Sequence, residues 1–258
     1  MANITNIPPV RLRVTTEQSI GTTAFFRNRP LVRLILEEMK KLGRKHYNIL
    51  FHACSIGAEV NSFVISYLTG GYFNLFSINI DATDLEPEFI EYSRNGVYPS
   101  SILSGMSKNE AGLFKTKGEQ VTVKNKVKDV ITFIDACNYL EFDTQKHYHI
   151  VFLLNTLIYV PEEMQSMAID SISNYNDDYL VTTAFHMETI KSDLCRNRYT
   201  PVTKDLKNIH DAWTDRRVNS VTDEKRPGIY ANWSLPEYSE IPDFEYKYCS
   251  IFKKQKDS

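Results

Sequence analysis

The sequence predicts an α/β fold in which a mostly parallel sheet carries helices on both faces. Three observations support it. The strand-like run Ile49-Leu50-Phe51-His52-Ala53 passes through the turn Cys54-Ser55-Ile56-Gly57-Ala58-Glu59 into the apolar helical run Phe63 to Leu68. That order is how α/β proteins bring backbone close to a nucleoside. A second run, Ile78 to Thr83, delivers Asp84, 25 residues past Glu59, where an acid can hold a ribose. A third, His149 to Leu154, is almost wholly apolar, as expected of a strand covered on both faces. In a doubly wound sheet the carboxyl ends of adjacent parallel strands face one crevice, so the turn and Asp84 line the same ligand.

A chain of 258 residues with 42% hydrophobic content suits one α/β core with an insertion. The net charge of −2, with Lys and Arg scattered, leaves no basic footprint and argues against a DNA or RNA reader. Cys54, Cys137, Cys195 and Cys249 lack CxxC spacing and read as free thiols. No His, Cys and acid grouping has metal spacing. Met1 to Asn6 lacks the basic and apolar regions of a signal peptide, and no apolar run approaches the roughly 20 residues a membrane span needs. A soluble, cytoplasmic protein is the expectation.

Along the chain, residues 1–21 read as an extended arm in which Val10, Leu12 and Val14 alternate. From Thr22 the pattern turns helical, with Phe26, Leu31, Leu34 and Ile35 at helical spacing before Gly43. Pro87 opens a short helix that ends near Asn95-Gly96. Ser100 to Asp129 is polar, with a helix near Lys108 to Phe114 and a strand near Gln120 to Val123. A third strand, Val130 to Ile134, closes on Asp135-Ala136-Cys137-Asn138, and Asn155 ends the fourth. Pro161 starts a helix with Glu162 and Glu163 in its first turn, where acids suit the dipole. A fifth strand, Tyr179 to Thr183, leads to Phe185-His186-Met187-Glu188. Residues 190–227 read as an added lid or substrate insertion, and the chain closes with a hairpin of Ile229 to Leu235 and Glu245 to Phe252.

Four stretches then acquire a joint meaning: Thr23-Ala24-Phe25-Phe26-Arg27; Ala53 to Ser62; Ala82-Thr83-Asp84-Leu85 with Ser93 to Tyr98 after it; and Leu154-Asn155-Thr156-Leu157-Ile158-Tyr159-Val160. In this order, over about residues 22 to 188, they resemble the S-adenosylmethionine-dependent methyltransferases of the chemotaxis receptor glutamate (CheR) type. The resemblance implies a class I Rossmann-like methyltransferase domain over residues 22–258, with a seven-stranded sheet and an antiparallel closing strand. It implies S-adenosylmethionine as cofactor, with Thr23 and Arg27 at its methionine end and Asp84 on its ribose. It also implies cofactor contacts from Cys54, Ser55, Gly57, Glu59, Leu85, Leu154 and Asn155, and an adenine site around Ala136, Cys137 and Asn138. Each residue has a plainer reading beside this one: a helix cap for Thr23, a dipole-favoured acid for Glu59, a solvated strand-end carboxylate for Asp84, packing for Cys137.

The chain departs from the family pattern at several points. The family's first turn glutamate is Ala58 and its proline Val60, so Glu59 is the acid left to meet the ribose or the methionine amine. Its arginine before the Asn-x-Leu-Ile-Tyr segment is Leu154, which removes a cation near the methyl group. Only about twenty residues precede Thr22, where the chemotaxis members carry a helical domain. The expected acceptor is therefore an oxygen of a small molecule or saccharide. A protein glutamate O-methyltransferase and a non-catalytic S-adenosylmethionine-binding protein are the alternatives. Tyr159 reads as a core aromatic or as a partner of the sulfonium, and His186 as a general base toward a hydroxyl or as a loop-ordering hydrogen bond.

Overall fold

A computed structural model describes residues 10–17, 20–218 and 241–256. Its first elements are the antiparallel strands β1 (Arg11–Thr15) and β2 (Ile20–Ala24). The arm thus continues past residue 21, and Thr22 is a strand residue, not the start of a helix. The reason is local. β-Branched Thr22 and Thr23 pair with Arg13 and Leu12, while the helix signal begins at Asn28, whose side-chain oxygen accepts the Leu31 N–H at 3.1 Å. Helix α1 (Arg29–Leu42) runs from that cap to left-handed Gly43.

The units β3 (His46–His52), α2 (Ala58–Thr69), β4 (Ser77–Ala82) and α3 (Pro87–Asn95) follow. An insertion then forms β5 (Val97–Pro99), α4 (Lys108–Ala111), β6 (Phe114–Lys117), β7 (Gln120–Val123) and α5 (Asn125–Lys128), whose strands make an antiparallel sheet in the order β5-β7-β6. The main fold resumes with β8 (Ile131–Phe133), β9 (Tyr148–Leu154), α6 (Glu162–Tyr175) and β10 (Asn176–Thr183). It ends with α7 (Ile190–Arg196), β11 (Tyr199–Pro201), α8 (Leu206–Val218), α9 (Phe244–Tyr248) and β12 (Ile251–Lys254).

The principal sheet has seven strands in the order β11-β12-β10-β9-β3-β4-β8. β8, β4, β3, β9 and β10 are parallel, and β12 runs antiparallel between β10 and β11. This is the class I Rossmann-like arrangement. One face packs Phe51 and Phe152, stacked at 4.1 Å, against Phe63 of α2 and the α1 residues Leu34 and Ile35. The other packs Leu50, Val151 and Leu180 against Ile169 and Ile172 of α6. The winding direction reverses between β3 and β9, which makes their carboxyl ends the ligand crevice of such a sheet.

Two features of the carboxy-terminal third differ from the sequence reading. Glu245 belongs to α9, and the antiparallel partner of β12 on its outer side is β11, drawn from 190–227. That segment contributes an edge strand of the main sheet, with α8 held to α1 by Asn28 Nδ2 donating to the Ile209 carbonyl at 2.9 Å. Ile229 to Leu235, expected to be a hairpin arm, and residues 219–227 lie outside the described residues.

His52, the last residue of β3, is 2% exposed, and its Nε2 lies 3.0 Å from the Tyr175 hydroxyl. Burial lowers its pKa to about 3. A group whose folded pKa lies below its unfolded value, ordinarily about 6.5, contributes stability that is present above 6.5 and lost as pH falls toward 3. Wild type should therefore lose about 1.4 kcal/mol of unfolding free energy per pH unit through this residue in that window. Urea unfolding of wild type and His52→Gln at pH 7, 6 and 5 checks this, and parallel curves would refute it.

Candidate functional site

The turn after β3 is held in an unusual conformation. Ala53 (φ 50°), Ser55 (φ 51°) and Gly57 (φ 76°) are all left-handed, which costs about 1 kcal/mol or more at each of the two non-glycine positions. Several contacts over-determine it. Cys54 N–H donates to the Thr83 carbonyl and Gly57 N–H to the Cys54 carbonyl, both at 3.0 Å. The Tyr98 hydroxyl donates to the Ile56 carbonyl at 2.6 Å, and Asn61 Nδ2 to the Gly57 carbonyl at 2.8 Å. Ser93 Oγ donates to the Ser55 carbonyl at 3.1 Å. Gly57 is required twice over, because a Cβ there would also stand 2.9 Å from Ser93 Oγ.

This turn aims the Ser55 N–H at Asp84 Oδ2, 2.7 Å away, while Asp84 Oδ1 accepts the Glu86 N–H at 3.2 Å. Asp84 is 8% exposed. Burial raises its pKa above the usual carboxylate value, opposed by the N–H bonds from Ser55, Glu86 and Leu85. A carboxylate so placed keeps lone pairs for a vicinal diol. Leu85 beside it is an exposed apolar side chain, and the Ser55 hydroxyl is buried with no hydrogen-bond partner among the described residues. Cys54 is buried, and burial pushes its thiol well above the usual range, so it stays a neutral packing residue.

Four predicted residues converge at the other end of the turn. Glu59 Oε1 lies 3.5 Å from Arg27 Nη1 and accepts Asn155 Nδ2 at 3.4 Å, and its Oε2 accepts the Thr23 hydroxyl at 3.3 Å. The ion pair is mostly shielded, each side chain being 14% exposed. It presents one fixed cation and one fixed anion side by side, a match for an amino-acid zwitterion.

The segment after β8 is stitched to the end of β4. Ile134 N–H donates to the Ala82 carbonyl, Cys137 N–H to the Asp84 carbonyl (both 3.0 Å), and the Thr83 hydroxyl to the Asp135 carbonyl at 2.8 Å. Ala136, Cys137 and Asn138 therefore stand beside Asp84. Asn138 Oδ1 accepts the Leu140 N–H at 3.0 Å, which fixes that amide.

Leu154 ends β9, its side chain packed against the Phe51/Phe152 core. Asn155 is left-handed (φ 56°), and its N–H donates to the Thr183 carbonyl at 3.1 Å. Tyr159, on a short turn of 3-10 helix, is 58% exposed. His186 follows β10. Its N–H donates to Gln165 Oε1 at 2.7 Å, its Nε2 lies 2.7 Å from the Val160 carbonyl, and its Nδ1 is 3.8 Å from Glu162 Oε1. Because a carbonyl can only accept, Nε2 is the donor to Val160.

Asn61, Ser93 and Tyr98 lie within the family-like stretches, but the sequence assigns them no role; their hold on the turn from outside it is set by tertiary packing.

The family described as CheR methyltransferase, SAM-binding domain, matches residues 21–194. No curated protein matches in sequence. Among solved structures, magnesium protoporphyrin IX methyltransferase from Synechocystis PCC 6803 is similar at 14% identity and TM-score 0.42, over 67% of this chain and 70% of that one. The N-methyltransferase NodS from Bradyrhizobium japonicum WM9 is similar at 15% identity and TM-score 0.40, over 67% and 77%. The amino pentose methyltransferase CalS10 from Micromonospora echinaspora is similar at 11% identity and TM-score 0.36, over 58% and 48%. With more than half of its length matched by the family's sequence pattern, the chain belongs to the CheR methyltransferases, enzymes that use S-adenosylmethionine.

Proposed function

We propose that the protein transfers a methyl group from S-adenosylmethionine to a hydroxyl oxygen of a small-molecule or saccharide acceptor. The observation that carries this reading is the pairing of two facts at the crevice mouth. Leu154 packs as an apolar residue where the family's arginine would attract a carboxylate, and Arg27 is already engaged by Glu59. His186 meanwhile offers an imidazole whose Nε2 is held by the Val160 carbonyl and whose Nδ1, 3.8 Å from Glu162 Oε1, is the nitrogen assigned the role of base. A hydroxyl acceptor needs such a base; a carboxylate acceptor does not.

S-adenosylmethionine supplies a methyl group on a positively charged sulfur, open to in-line displacement. In this reading Asp84 accepts the ribose hydroxyls, and the exposed Leu85 with Ala136, Cys137 and Asn138 borders the adenine. Gly57 lets backbone approach, Ser55 offers its buried hydroxyl, and Cys54 packs beneath. Arg27 and Thr23 take the methionine carboxylate, Glu59 its ammonium, and Leu154 and Asn155 close the floor. Tyr159 lies against the sulfonium as a cation–π partner. No helix among the described residues is long and apolar enough to cross a membrane.

Asp84→Asn keeps the shape and the oxygen facing Ser55 but presents an NH2 where the second oxygen accepted. S-adenosylhomocysteine should bind roughly thirty-fold more weakly, about 2 kcal/mol, by isothermal titration calorimetry. In wild type the affinity should fall toward acid as Asp84 protonates, from a pH above the ordinary aspartate value of 3.8 because its pKa is raised. In the variant that dependence should vanish; an equal acid dependence in both proteins would count against Asp84.

Incubation with fractionated metabolites and isotopically labelled S-adenosylmethionine, read by mass spectrometry, should yield a methyl ether. With that acceptor His186→Gln should lower kcat at least about a hundred-fold while leaving S-adenosylhomocysteine binding intact. A methyl ester on protein glutamate as the product, with the His186→Gln rate unchanged, would overturn the acceptor assignment.

A further inference from the structure

β2 lies against both loops that frame the crevice, and the point of contact is a glycine. Gly21 does not adopt the left-handed conformation that would by itself call for glycine. Its surroundings call for one instead: a Cβ there would stand 2.9 Å from Ser55 Oγ and 2.7 Å from Cζ of the Phe89 ring. Ser55 belongs to the turn after β3, and Phe89 to the first turn of α3, just past Asp84. Two further bonds flank this contact. The Thr23 hydroxyl donates to Glu59 at 3.3 Å, and the Thr16 hydroxyl donates to Glu86 Oε2 at 3.4 Å. Leu12 of β1, 7% exposed, anchors the pair of strands in the core.

We propose that Gly21 is a positioning residue for the S-adenosylmethionine site. Its missing side chain seats β2 directly on Ser55 and Phe89, and this fixes the spacing between the turn that carries Gly57 and the loop that carries Asp84. A methyl group at this position displaces either the Ser55 side chain or the Phe89 ring. Either movement disturbs the 2.7 Å bond from the Ser55 N–H to Asp84. The inference rests on the cofactor reading of the crevice and adds to it a residue that need not touch the cofactor.

The test uses the full chain and S-adenosylhomocysteine. Gly21→Ala should bind it about ten-fold more weakly by calorimetry, with the melting temperature of the ligand-free protein lowered by only a few degrees. In wild type, the amides of residues 20–24 should exchange more slowly with deuterium once S-adenosylhomocysteine is bound, a readout that stands even where Gly21→Ala fails to fold. Wild type that does not bind S-adenosylhomocysteine defeats the cofactor reading itself. Wild type that binds it without protecting residues 20–24, or a folded Gly21→Ala of unchanged affinity, overturns the role of Gly21 alone.

Discussion

The hydrogen bond from the Ser55 N–H to the Asp84 carboxylate, at 2.7 Å, is the contact on which the crevice depends. It joins the ends of two neighbouring parallel strands and gives a buried acid a partner. A carboxylate buried without one is strongly penalised and takes up a proton instead. The bond requires the turn to present its N–H groups forward, which Ala53 and Ser55 achieve only in left-handed conformations. That strain is sustained from outside the turn by Asn61, Ser93 and Tyr98. The insertion that opens with β5 thus shapes the crevice without entering it: Tyr98 lies within that strand and is buried against Phe25 at 4.9 Å.

Charge is distributed unevenly along the crevice, and the unevenness suits the proposed cofactor orientation. At one end Glu59 is paired with Arg27; at the other Asp84 is satisfied by backbone N–H groups instead of a cation. A zwitterion suits the first end and neutral hydroxyls the second, which is the order of groups in the proposed cofactor.

Much of this architecture was legible in the sequence because its signals are local. The β3-turn-α2 unit, the acid after β4 and the apolar run of β9 each lie within about two dozen residues, and periodicity and glycine placement report such units directly. What escaped is non-local. Thr22 stands between an extended arm and a helix signal, and it joins the strand because β1 pairs with it. β11 is three residues long, Tyr199–Pro201, and joins the sheet only because β12 returns some fifty residues later. At the site, residue types and their order brought Thr23, Arg27, Glu59 and Asn155 into one hypothesis, and the fold places them together. The partner of the His186 ring was not legible, since it is the Val160 carbonyl across a turn.

The crossover from β8 to β9 shows how closely the stability of the fold and the shape of the site are linked. β8 is the edge strand and β9 lies beyond β4 and β3, so the chain must pass over both, a journey that parallel sheets usually make with a helix. Here residues 134–147 make it without one, and side chains supply the cover. Phe142 packs edge-on against His52 at 4.9 Å, and Lys146 bonds Asp81 at 2.6 Å. Tyr148, at the start of β9, bonds the same Asp81 oxygen at 2.7 Å. The first residues of this connection are the ones tied to Thr83 and Asp84. One stretch of chain therefore both buries His52 and sets Cys137 beside Asp84. Protonating His52 would strain that cover, which is why this connection sets the acid limit of the fold.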